Sequence, residues 1–253
     1  MFFFKETKKY TQIQYAFFSR KNGVSKGIYN SLNCGMSSKD KKGNVQKNRI
    51  IALKKIGLDN KKLIIPNQIH SNKVRIVNND SKNKQINADG LITKSEKIVL
   101  GILTADCAPV FFFDYKKSII SAIHAGWRGA KNDIIYNTIK LMLECGSKLN
   151  NIVSCIGPCI GKESYLINND FYNKFVIENS KNKRFFLIKN NKMKFDLKSY
   201  IVEKIKKSGV KKIYFSSFDT FKDKKNFFSY RRSLIYKEKD YGRCLSIISL
   251  NGK

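Results

Sequence analysis

Apolar runs of strand length, rich in β-branched and aromatic residues, decide the fold class of this chain. They recur at 13–18, 63–65, 73–77, 98–104, 109–113 and 118–123, then at 152–156, 184–188, 212–217 and 245–250. Helical spacing is rarer. Ile134, Ile135, Thr138, Leu141, Met142 and Cys145 share one face, which predicts a helix over 131–145 stopped by Gly146. Asp196 is placed to cap a second helix that bears Leu197, Tyr200, Ile201 and Ile205 and ends at Gly209. A third is expected over about 45–56, before Gly57. Strands outnumber helices and follow one another in runs, so the pattern predicts an α+β fold with helices covering sheets. No repeat or composition break divides the chain, and a single domain over 1–253 is expected. A chain of this length buries about 73% of its unfolded surface, enough for a core without disulfide staples.

Charge is the compositional outlier: Lys+Arg 50 against Asp+Glu 19, a net of +31. Such a field attracts polyanions. Specific nucleic-acid recognition, however, leans on guanidinium forks, and only eight of these cations are Arg. The excess reads as a solvated lysine surface, with no specific nucleic-acid partner. The cysteines, at 34, 107, 145, 155, 159 and 244, form no CxxC pair. The N-terminus meets Lys5 and Glu6 at once, without the apolar region of a signal peptide, and no run is long enough to span a membrane. A cytoplasmic setting with free thiols is expected. Neither a Walker loop nor GxGxxG is present, which sets aside phosphate-cradling glycine loops.

The chemistry gathers around the two histidines of the chain. His70 sits in Asn67-Gln68-Ile69-His70-Ser71. His124 ends an apolar run and opens His124-Ala125-Gly126-Trp127-Arg128-Gly129. Glycines flanking a strand-to-helix turn let backbone approach a ligand, and the following helix start offers N–H groups to an anion beside Arg128. A third element is Thr104-Ala105-Asp106-Cys107-Ala108-Pro109, where Asp106 and Pro109 interrupt two apolar strands. If those strands end together, Cys107 and His124 meet at one sheet edge. Two imidazoles and a thiolate suit Zn²⁺ with an open fourth position. The same atoms also suit a Cys–His nucleophile pair in which His124 activates Cys107. Residue types alone leave both open.

The strings NQIHS, ADGLIT, TADCAPV, HAGWRGA, IGPCIG and FFSYRRS, in that order, resemble the laccase-domain family of polyphenol oxidoreductases, also called YfiH-like purine nucleoside phosphorylases. Gly23-Val24-Ser25, the stretch Tyr29 to Gly35, Asn48-Arg49 and Tyr241-Gly242-Arg243 are similar to further stretches of that family. The resemblance implies a four-layer α/β/β/α sandwich with mixed β-sheets and a metal held by His70, Cys107 and His124. It departs at Asp219-Thr220-Phe221, where many members have Cys-Thr-Tyr, so no role of that cysteine carries over.

Activities implied by the resemblance are phosphorolysis of adenosine, inosine and methylthioadenosine, adenosine deamination, polyphenol oxidation and editing of peptidoglycan precursors. Two histidines cannot furnish both the mononuclear and the trinuclear copper site of a multicopper oxidase. Cu²⁺ in a lone His₂Cys centre remains chemically allowed, though one electron-transfer copper is not a laccase. Phosphorolysis of purine nucleosides fits best: a Zn²⁺ Lewis acid, with Arg128 and the Arg231-Arg232 pair to orient phosphate. Deamination would need Asp106 or another carboxylate as proton shuttle, since the zinc-deaminase signature is missing. Gln68 and Asn33 are candidates to read the base or ribose. The different-class alternatives are a Cys107 hydrolase acting on cell-wall precursors and a polyanion-binding protein. The sequence sets no oligomeric state.

Overall fold

The computed structural model describes residues 1–80 and 85–251. The chain runs β1 (Ile13–Phe17), α1 (Lys42–Lys54), β2 (Lys62–Ile64), β3 (Val74–Ile76), β4 (Gly90–Thr93), β5 (Ile98–Thr104), β6 (Ala108–Asp114) and β7 (Ile119–Ala125). It continues through α2 (Trp127–Lys131), α3 (Ile134–Glu144), β8 (Ile152–Ile156), β9 (Leu166–Ile167), α4 (Asn169–Val176), β10 (Phe186–Lys189) and β11 (Lys192–Phe195). Last come α5 (Leu197–Lys207), β12 (Lys212–Phe215), α6 (Tyr230–Ile235) and β13 (Cys244–Leu250). The strands form a sheet ordered β1-β13-β5-β2, a sheet ordered β12-β8-β6-β7-β4-β3 and a small sheet β10-β11-β9. The two larger sheets mix parallel and antiparallel pairs. This is the mixed α+β architecture that the strand pattern predicts.

Period-two alternation assigns each strand face to a different core. In β5, Ile98, Leu100 and Ile102 join Phe111 and Phe113 of β6 and Ile248 of β13 in one apolar cluster. Val99 of β5 turns the other way, to Leu53 of α1 and Ile247. In β6, Val110 and Phe112 point to a third cluster with Ile135 and Ile139 of α3 and Ile201 of α5. One apolar cluster thus draws residues from both larger sheets, and the other two clusters include residues of α1, α3 and α5.

The helix expected over 131–145 is α3, which starts only after Asp133, a residue with left-handed φ of 65°; the separate short α2 precedes it and was not foreseen. Asn and Asp tolerate that conformation better than other side chains, and Asp133 is held there by Lys204 Nζ at 2.7 Å. The helix expected over 45–56 starts earlier, at Lys42. Asp196 caps α5 as expected, its side chain accepting from Ser199 N at 3.0 Å. The short β4, β9, β11, α4 and α6 lack a long apolar period and were not foreseen.

Candidate metal centre and the clefts beside it

Strand register brings the reactive residues to one edge of the six-stranded sheet. β6 and β7 are antiparallel with Pro109 opposite His124, so Cys107, just before β6, meets the end of β7. β4 pairs with β7, Gly90 opposite Ile123, and β3 starts beside β4, Val74 opposite Gly90. Asp89 and the His70 loop thereby arrive at the same edge. The ligand atoms of His70, Cys107 and His124 lie within 4.8 Å of one another, the one such His/Cys/Asp/Glu group among the described residues. The two imidazoles meet edge to face, 4.8 Å between centroids. Expectation and geometry agree that Cys107 and His124 share a sheet edge.

A residue that sequence reasoning missed organises this centre. Asp89, fully buried, takes His124 Nδ1 on Oδ1 at 2.8 Å and the amide of His70 on the same oxygen at 3.0 Å. Its Oδ2 accepts from the amides of Ile69 (3.2 Å) and Ser71 (2.6 Å) and from Ser71 Oγ (2.7 Å). Its backbone carbonyl accepts from His124 N at 2.7 Å. One carboxylate thus fixes both histidines and leaves Nε2 of His124 as its outward nitrogen. Burial alone would raise the Asp89 pKa, but the hydrogen bonds from His124 and Ser71 outweigh it and hold it at about 2. The only sequence signal was its place in ADGLIT, immediately before β4.

The thiol is prepared as a ligand. Burial would raise its pKa, yet the charge and hydrogen bonds of His124, with those of His70, bring Cys107 below the ordinary thiol range. The thiolate and Asp89 in turn raise His124, against its burial. His70 and Asp106 both carry left-handed φ, 57° and 86°, a strained conformation on either side of the ligand set. Gly126 makes room: a Cβ there would stand 2.8 Å from Cys107 Sγ and 3.4 Å from His70 Cδ2. Two imidazole nitrogens, one oriented by a buried carboxylate, and an activated thiolate fit a borderline-soft metal ion.

Two clefts open from the triad, sharing His70, Ala105, Cys107, Arg128 and Tyr230. The first, about 730 Å³, is lined by Arg49, Arg243, Gln68 and Tyr241 among others. The second, about 500 Å³, is aromatic, with Trp127, Tyr165 and Phe171. The guanidinium of Arg128, an exposed residue, lies over Trp127 at 4.9 Å. Gln68 clamps Leu103, accepting from its amide at 2.8 Å and donating to its carbonyl at 2.7 Å. Arg231 lines the second cleft but is engaged, donating to Leu166 O at 2.6 Å and stacking on Tyr165 at 5.3 Å.

Three expected site residues are committed to structure. Asn33 is fully buried and lines neither cleft; it donates to Ser38 Oγ and Asp40 and accepts from the amides of Gly35 and Arg243. Arg232 is also buried away from both, its fork tying the carbonyls of Thr220, Phe221 and Phe227. Asp106 reaches the second cleft but accepts from Thr220 Oγ1 (2.7 Å), Ser229 Oγ (2.8 Å) and Arg231 N (2.7 Å). Burial pushes its pKa up against those donors. It holds the Cys107 turn in place. The helix start beside Arg128 belongs to α2, which is only five residues long, and the longer α3 opens at the Asp133 carboxylate.

Residues 14–251 match the family described as multi-copper polyphenol oxidoreductase laccase. The chain is 40% identical over 174 residues to a purine nucleoside phosphorylase of Rickettsia prowazekii, covering 68% of this chain and 71% of the relative. It is 31% identical over 233 residues to the purine nucleoside phosphorylase of Haemophilus influenzae, 91% of each chain. Its fold is similar to the crystal structure of the Bacillus licheniformis hypothetical protein YfiH, with TM-score 0.88, 27% identity and coverage of 96% and 95%.

Proposed function

The chain belongs to the multi-copper polyphenol oxidoreductase laccase family, and from that premise we propose that it is a zinc-dependent purine nucleoside phosphorylase rather than an oxidase. The observation that carries the reading is the three-ligand centre, the one found among the described residues, at the junction of a cationic and an aromatic cleft. A multicopper site needs many more imidazoles than two. A Zn²⁺ ion held by His70, Cys107 and His124 would supply a Lewis acid with an open position.

In this reading the protein's own residues bind and orient the reactants. Asp89 fixes both histidines, and Asp106 sets the Cys107 turn. Arg128, in both clefts, holds negative charge near the reacting centre. Phosphorolysis breaks the C1′–N9 bond as an oxygen of hydrogen phosphate bonds to C1′. The electron pair leaves with the purine, and the proton of hydrogen phosphate ends on the base. Substrates are adenosine, inosine and methylthioadenosine, with adenosine deamination as a side activity. Gln68 is left to contact ribose with the amide capacity it does not spend on Leu103. The shared inter-sheet core with helices outside supports reading the fold as a four-layer α/β/β/α sandwich.

The lowered Cys107 thiol beside His124 favours a second reading, a cysteine hydrolase acting on peptidoglycan precursors. One assay separates them. Metal-loaded protein should release hypoxanthine from inosine only with phosphate present, yielding ribose 1-phosphate. Equal release in phosphate-free buffer would overturn phosphorolysis.

A further inference from the structure

Arg49 and Arg243 lie in stretches that resemble the family, yet neither takes part in the metal centre. Arg49, in α1, and Arg243, just before β13, are both bonded to the loop at Asn33 and Cys34. Arg49 Nε donates to Cys34 O at 2.9 Å. Beside it, Asn48 is fully buried and bonded to Val24 N, Ser25 Oγ, Ser31 O and Asn33 O, which fixes α1 against the loop. The backbone of Arg243 brackets the same loop: its amide donates to Asn33 Oδ1, and its carbonyl accepts from Cys34 N. Its side chain crosses Gly35, where a Cβ would stand 3.0 Å from Arg243 Cδ, and its guanidinium stacks on Tyr241 at 4.4 Å.

Among the described residues, no carboxylate forms an ion pair with Arg49, Arg128 or Arg243. Asp240, which feels the charge of Arg243, spends Oδ2 on Tyr29 Oη and Lys39 N. The first cleft therefore carries three guanidinium groups and no acidic side chain in its lining. The second is different: its own cation, Arg231, is occupied, Asp106 lies in its wall, and π faces dominate.

We infer that Arg49 and Arg243 hold the phosphate dianion in the first cleft while the purine stacks against Trp127 and Tyr165 in the second. The assignment rests on the phosphorylase reading above. Two planar forks without competing carboxylates suit phosphate, and partial burial strengthens their attraction for it. The reverse arrangement would set the dianion beside Asp106 and aromatic faces, and the uncharged base among three cations.

The test is equilibrium binding to metal-loaded protein. Inorganic phosphate is titrated by calorimetry, and hypoxanthine is titrated through the fluorescence of Trp127, the sole tryptophan. Arg49→Gln keeps a donor for Cys34 O, and Arg243→Ala keeps both backbone bonds, so failure of one variant to fold leaves the other decisive. Each should weaken phosphate binding by about tenfold or more, with hypoxanthine affinity within about twofold of the parent. Unchanged phosphate affinity in both folded variants overturns the assignment of the arginines. Absence of Trp127 quenching overturns the placement of the base. If the parent binds no phosphate and releases base without it, the phosphorylase reading itself has failed. If the parent binds and uses phosphate while both variants match it, only this inference has.

Discussion

Asp89→Asn is the substitution that tests the centre most severely, because it changes one atom and leaves volume intact. In the parent, both carboxylate oxygens only accept: Oδ1 from His124 and His70, Oδ2 from Ile69 and Ser71. An amide cannot reproduce that. With its oxygen toward His124, its NH₂ faces two backbone N–H groups and a hydroxyl. Turned around, the NH₂ donates to His124 Nδ1, so the ring proton moves to Nε2, the nitrogen needed for metal. Either orientation loses a metal ligand's alignment or strands buried donors. Loss of such an orienting partner costs about 10- to 100-fold in metal affinity, or about 1.4–2.8 kcal/mol. The depressed pKa of Asp89, about 2 against 3.8, adds about 2 kcal/mol of folded-state preference for the anion. A folded pKa below the unfolded one stabilises above the ordinary carboxylate range, and that contribution is lost as pH falls from about 4 toward 2.

The assay pairs Zn²⁺ competition against a chromophoric chelator with thermal unfolding of the metal-free protein. Cys107→Ser is the control: it removes a ligand outright but leaves the Asp89 bonds, so it should lose more metal and less stability. Parental zinc affinity and parental melting in Asp89→Asn would refute the orienting role.

Cys107→Ala should lose bound zinc and activity while staying folded, whereas Cys155→Ala, in the inter-sheet core, should keep its metal and cost about 1–3 kcal/mol of stability by chemical denaturation. In metal-stripped protein at neutral pH, iodoacetamide should modify Cys107 first. It combines partial exposure with a lowered pKa, while burial pushes Cys34, Cys155 and Cys159 up to about 12. Cys145, also partly exposed, shows what access alone gives, and equal labelling of the two by mass spectrometry would refute an activated thiolate.

Long apolar runs were legible because burial on both faces leaves little choice: β5, β6, β7 and β13 appear within a residue or two of their expected bounds. Their antiparallel register then carries Cys107 to His124 with no further information. Short elements were not legible. β9 has two residues, and its place depends on pairing with β11, a tertiary fact with no local signature. Polar residues were ambiguous for a related reason. Asn33, Gln68 and Arg232 are types that bind ligands or brace loops equally well, and only the fold shows each bonded to neighbouring chain. Asp89 failed in the opposite sense: a carboxylate before a strand looks like an ordinary turn residue until the His70 loop closes over it.

Where the expected helix begins decides how much its dipole can contribute beside the metal centre. A continuous helix over 131–145 would aim a full macrodipole at the metal, making Arg128 its natural companion. The observed α2 is too short to carry that dipole, and Asp133 sets a negative charge where α3 begins. Positive potential at the centre must then come from side chains. Among the described residues, the guanidinium groups of the first cleft that form no ion pair are those of Arg49, Arg128 and Arg243. Two of them are anchored from the Asn33–Gly35 loop, far from the triad in sequence. That accounts physically for stretches around 33, 49 and 243 that hold no metal. Asn33 and Asn48 fix the loop, and Arg49 of α1 and Arg243 before β13 are each bonded to it while lining the cleft. A +31 chain has ample charge everywhere; a partly buried fork with no acid beside it is the scarcer resource, and this cleft concentrates it.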